Sequence, residues 1–150
     1  MTLGEMLVVL VLIGLLSSGA AAVGTAGVRM ANRESFESEC GALRDTLNDA
    51  RDRALMQSAK RDAVVDFYSD MAVVKIWDDR KDQYTSQIIH FEKLTASAAK
   101  GAADPNYHYQ VRFSAQGTIN KGQTIRLNGP GQLKKSLVLQ PVTGRIWLSP

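Results

Sequence analysis

Residues 36–54, FESECGALRDTLNDARDRA, place Phe36, Cys40, Leu43, Leu47, Ala50 and Ala54 at intervals of 4, 3, 4, 3 and 4. An α-helix turns once in ~3.6 residues, so these six side chains form one apolar stripe. Glu37, Glu39, Arg44, Asp45, Asp49, Arg51, Asp52 and Arg53 fall mostly on the other faces. A helix with a single apolar face needs a surface to bury it against. The pattern predicts a helix to about Ser58 or Lys60, and no proline occurs before Pro105. One long helix of ~55 residues can therefore reach back to the start of the chain.

Upstream the pattern changes. Residues 1–28, MTLGEMLVVLVLIGLLSSGAAAVGTAGV, hold one charge, Glu5, and 23 residues then pass before the next, Arg29. As a helix those 23 residues span about 35 Å, enough to cross a bilayer core. A carboxylate in such a run is costly unless a cation pairs with it, and the obvious cation is an α-amino terminus. The run lacks the basic start and small-residue cleavage site of a secretory signal peptide. Gly14, Gly19 and Gly24 punctuate it, with Gly27, Ser17 and Ser18. Each glycine lowers helix stability by about 1 kcal/mol against alanine. Two readings stand: close helix–helix packing in an apolar medium, or a segment that unwinds and stretches.

Downstream of Lys60 the apolar period shortens to 2. Ala63–Phe67 and Met71–Trp77 read as strands around a turn at Tyr68-Ser69-Asp70, and Gln87–Lys93 as a third strand. Leu94–Asn106, small and polar and closing on Asp104-Pro105, reads as a loop. Tyr107–Phe113, Gln123–Leu127, Ser136–Gln140 and Arg145–Leu148 follow, separated by Gly117, Gly122, Gly129-Pro130-Gly131 and Gly144. Short strands with glycine turns predict an antiparallel sheet, and the Phe36–Ala54 stripe supplies its cover. The fold class is α+β: a long N-terminal helix whose apolar half projects and whose amphipathic half packs on a C-terminal antiparallel sheet. The organisation is an apolar helix, residues 1–28, and a head, residues 29–150, made of helix 29–60 and sheet 62–150.

Hydrophobic content of 45% and charged content of 22% suit a folded chain. A single cysteine, Cys40, excludes an intrachain disulfide, and its place on the stripe favours a small packed residue over a reactive or intermolecular one. The net charge is +3, but residues 101–150 hold six basic residues against Asp104 alone. That is a modest basic bias, met by a solvated face or by nucleic acid. His90 and His108 lie in separate strands, and no HxxxH, CxxC or HExxH spacing occurs. Asp78, Asp79 and Asp82 are interrupted by Arg80 and Lys81 and lack calcium-loop spacing, so they read as a hairpin loop. With no nucleophile elbow and no phosphate-cradling glycine loop, the sequence points to no enzyme, metal or cofactor.

The opening MTLGEMLVVLVLIGLL resembles the mature N-terminus of type IV pilins and pseudopilins. Thr2, Leu3, Glu5 and the aliphatic run from Met6 match; Met1 stands in place of the usual Phe, Gly4 in place of a larger aliphatic residue, and Ala22 where major pilins often carry proline. LRDTLNDARDRA (43–54), VRFSAQGTINKGQTIRLN (111–128) and VTGRIWL (142–148) are similar to the GspH/FimT-type branch. The resemblance implies cleavage of a basic leader by a prepilin peptidase, N-methylation of Met1, and an inner assembly platform. It implies a single-pass protein of the cytoplasmic (inner) membrane that polymerises with identical or related subunits into a periplasmic or extracellular filament. There Glu5 would neutralise the methylated amine of a neighbouring Met1. Such filaments serve DNA uptake, type II secretion or adhesion. Members that bind DNA carry a Gly-Arg-any-Arg motif; Gly144 and Arg145 match it, Trp147 replaces the second arginine, and Lys134 and Lys135 lie nearby in sequence. A non-polymerising single-pass anchor bearing a binding domain is the third expectation.

Overall fold

The computed structural model describes residues 3–56, 61–99 and 106–150, with side chains at 3, 5 and 14–25 outside the description. Helix α1 runs unbroken over Leu3–Met56; residues 57–60, where the sequence placed its last turn, lie outside the described residues. Along its second half all six stripe residues, Phe36, Cys40, Leu43, Leu47, Ala50 and Ala54, are buried. Exposed pairs one turn apart, Arg33–Glu37 at 3.1 Å and Asp49–Arg53 at 2.9 Å, support the solvent side. Each such pair is worth only ~0.3–0.5 kcal/mol, so the burial of the stripe fixes the helix in place.

Eight strands follow. They are β1 Ala63–Tyr68, β2 Met71–Asp78, β3 Gln83–His90, β4 Thr95–Ala98, β5 His108–Phe113, β6 Gln123–Asn128, β7 Lys134–Leu139 and β8 Ile146–Ser149. They divide between two four-stranded antiparallel sheets, β3-β2-β1-β5 and β4-β6-β7-β8, where the sequence led to one. The expected loop at 94–106 contains β4, which pairs Thr95–Ala98 with Asn128–Ile125. Its residues are small because the strand is crowded: Ala96 and Ser97 are buried, and the Ala96 amide donates to the Ser69 carbonyl at the turn between β1 and β2. Period-2 alternation turns Ala63, Val65 and Phe67, then Ala72 and Val74, inward, and Val111, Phe113, Ile125, Leu127, Leu137 and Leu139 from the later strands. Helix α1 lies against strands of both sheets, and its stripe closes one common core.

Three local features seat the helix on the strands. The Glu39 carboxylate accepts from the amides of Glu92 and Lys93 at 3.0–3.2 Å, tying α1 to the β3–β4 connection. Arg51 donates to the Gly144 carbonyl at 3.1 Å. Gly129, entering a 3-10 turn at Pro130–Gln132, lies so close to the Phe36 ring that an added Cβ would sit 2.5 Å from Cδ2.

Candidate functional site

The surface that stands out is the first part of α1. Met6, Leu7, Val8, Val9, Leu10, Val11, Leu12 and Ile13 are consecutive, so they cover every side of two helical turns. Each is between 46% and 69% exposed. Val28, at 61%, and Met30, at 75%, extend the apolar exposure towards the head. From Leu3 to Phe36 the helix rises about 50 Å at ~1.5 Å per residue. The helix continues through Gly14, Gly19 and Gly24. Met1 lies outside the described residues, as does the side chain of Glu5. Among the described residues no helix is long and apolar enough to cross a membrane.

The basic residues singled out for nucleic acid do not converge. Lys134 opens β7 opposite Asn128, whereas Arg145 precedes β8, whose first residue, Ile146, pairs with Leu139 at the far end of β7. At ~3.3 Å per residue the two ends of β7, five steps apart, lie about 17 Å from each other. Lys135 shares the inward parity of Leu137 and Leu139 and comes near α1. The bond from Arg33 and then the charge of Lys135 hold the Glu37 carboxyl below its usual range. Gly144 (φ 62) and the exposed Trp147 flank Arg145 and the start of β8.

One charged cluster escapes a reading of the sequence. Asp66 in β1 points away from the core yet is only 3% exposed. Its Oδ2 accepts from Lys75 Nζ at 3.0 Å and its Oδ1 from Gln110 Nε2 at 2.9 Å, with His108 Nε2 at 3.3 Å. The His108 ring is tilted against Tyr68, centroids 4.9 Å apart. Burial alone would raise the Asp66 carboxyl, but the bonds from Lys75, Gln110 and His108 outweigh it and hold it below the ordinary carboxylate range. The same bond raises the Lys75 ammonium. The only signal in the sequence is the acid inside the apolar strand AVVDFY (63–68).

The remaining candidates are structural. Cys40 is fully buried, which pushes its thiol up to about 11 and leaves it a packed residue rather than a nucleophile. Asp78 accepts from the Arg80 amide at 3.0 Å as part of the β2–β3 turn. Among the described residues, no group of three or more His, Cys, Asp or Glu side chains is placed to hold a metal ion. Compared with known protein families, curated proteins and solved structures, the chain finds no match.

Proposed function

We propose that this chain is a structural subunit of a type IV pilus-like filament, a pilin or pseudopilin. In this reading residues 1–28 hold it in the cytoplasmic membrane before assembly and form the filament core afterwards. The apolar half of the helix projects and the amphipathic half packs on the sheets. One observation carries the reading: a single helix joins a buried stripe to two turns, Met6–Ile13, that are apolar on all sides and exposed. A surface of that kind is stable only in lipid or against neighbouring helices. Glu5 then pairs with the N-methylated Met1 amine of a neighbouring copy. A slipped register would leave both charges unpaired in apolar surroundings, at a cost of several kcal/mol. The prepilin peptidase and assembly platform are the partners that processing and polymerisation require, and type II secretion, DNA uptake and adhesion remain the roles such a filament serves.

Electron microscopy of sheared surface material, with mass spectrometry of the N-terminal peptide, tests the proposal. Filaments containing this chain with a methylated Met1 are the expected result. A chain that stays with membranes and is missing from sheared filaments would instead be a single-pass anchored binding domain. Direct DNA binding is the weaker reading, because Lys134 and Arg145 stand at opposite ends of β7.

A further inference from the structure

The stripe that carries Phe36 and Cys40 continues towards the N-terminus at Arg29, Asn32 and Arg33, in the same helical register. The face that is apolar beneath the head therefore becomes basic where α1 leaves it. Opposite stands the β6–β7 connection, pinned to the helix by the contact of Gly129 with the Phe36 ring. Pro130, Gly131 and Leu133 overhang Arg29, Asn32 and Arg33 and enclose a groove of ≈ 370 Å³. Among the described residues, no carboxylate lines this groove. Glu37 lies one turn further along and takes the Arg33 Nε at 3.1 Å, while Glu34 lines the adjoining face. Open space surrounds Gly131, where an added Cβ would meet nothing within 4 Å. Lys134 and Lys135 follow Leu133 directly, and the exposed Val28 marks the apolar segment on the other side.

We propose that this groove seats the phosphate of an anionic phospholipid headgroup, on the bilayer face next to the head; the proposal rests on the membrane reading above. Arg29 and Arg33 are one turn apart, about 6 Å along the helix, so two guanidinium groups bracket one phosphate from the same side. Guanidinium–phosphate bonds are charge-assisted and often bidentate. The headgroup competes with Glu37 for Arg33. When the chain leaves the bilayer, Arg33 returns to Glu37 and the groove empties. The site thus fixes how deep the helix sits before assembly without adding a lipid to the assembled filament.

The test uses the full chain in nanodiscs of phosphatidylcholine alone or with one quarter phosphatidylglycerol, read by native mass spectrometry of the lipid retained on release. The chain should enter both and retain phosphatidylglycerol selectively. The double variant Arg29→Gln, Arg33→Gln should lose about tenfold or more of that retention, since each basic residue at the surface is worth ~1 kcal/mol towards anionic lipid. Arg112→Gln, on β5, should not change it. Entry without selectivity, or full retention by the double variant, overturns the headgroup site and leaves the membrane reading standing. Failure to enter either nanodisc overturns both. Inorganic phosphate retained by the chain in phosphatidylcholine nanodiscs, with no preference for phosphatidylglycerol over phosphatidylcholine, would reassign the groove to a free anion and overturn the lipid proposal.

Discussion

Asp66 keeps its charge with almost no water around it, because Lys75, Gln110 and His108 from two neighbouring strands supply what solvation would. A carboxyl whose folded pKa lies below the unfolded value of ~3.9 binds protons more readily unfolded. It therefore contributes stability above about pH 4, and that contribution disappears as the pH falls through the lowered folded value. Asp66→Asn should destabilise the protein by about 1–3 kcal/mol at pH 7, and the gap from the unmodified chain should close as the pH falls below ~4. Denaturant melts across pH 2–7 check both statements. A gap independent of pH would show that packing, not charge, is at stake. Gly144 is a second single-residue dependence. Its φ of 62 is left-handed, and an added Cβ would run into the Gly117 carbonyl oxygen. Gly144→Ala should cost ~1 kcal/mol or more and weaken the bond from Arg51 to that turn. The sequence marked Gly144 as a turn glycine but gave no sign of its contact with Gly117, and the Asp66 cluster was not legible in it. The partners of Asp66 come from β2 and β5, 9 to 44 residues away, and alternation assigns a face without saying who stands beside whom.

At the scale of the element, α1 is two helices in energetic terms, and substitutions along it should divide accordingly. Leu47 is fully buried in the common core, so Leu47→Ala leaves a cavity and should destabilise the head by 2–5 kcal/mol. Leu10 is 69% exposed and far along the helix from the head. Leu10→Ser should leave the melting of the head in detergent unchanged to within about 0.5 kcal/mol, yet lower retention in membranes. An equal loss of head stability in both variants would mean that the two parts of α1 unfold together. The buried stripe was readable because its spacing is local: five intervals of 3 or 4 admit one helical face. β4 was not, because Thr-Ala-Ser-Ala has no strand signature and owes its pairing with β6 to the space beside the turn between β1 and β2. The division into two sheets escaped the sequence for the same reason, since strand neighbours are set by long-range packing.

For the whole molecule, the question is what covers the helix that its own head leaves bare. About 50 Å of α1 precedes Phe36, and the described apolar residues in it are exposed. A bilayer covers such a surface without regard to its axial position, whereas a bundle of copies covers it only in register. A charge near the end of the segment separates the two states. In the membrane Glu5 can sit near the headgroups at modest cost, so its removal changes little. In the proposed filament core it would be buried and have to meet a cation, and removing it would leave the partner amine uncompensated, at several kcal/mol for each contact. Glu5→Ala and Glu5→Val should therefore enter membranes to the same level as the unmodified chain. Their assembly should fall steeply, since 3 kcal/mol per contact weakens association by more than about a hundredfold. The measurement is paired: chain in the washed membrane fraction, and chain in sheared filaments from the same cells. Membrane levels that fall together with filament levels would place the carboxylate in insertion or processing instead. Normal filament yield from either variant would remove Glu5 from assembly and leave the exposed helix as an anchor only.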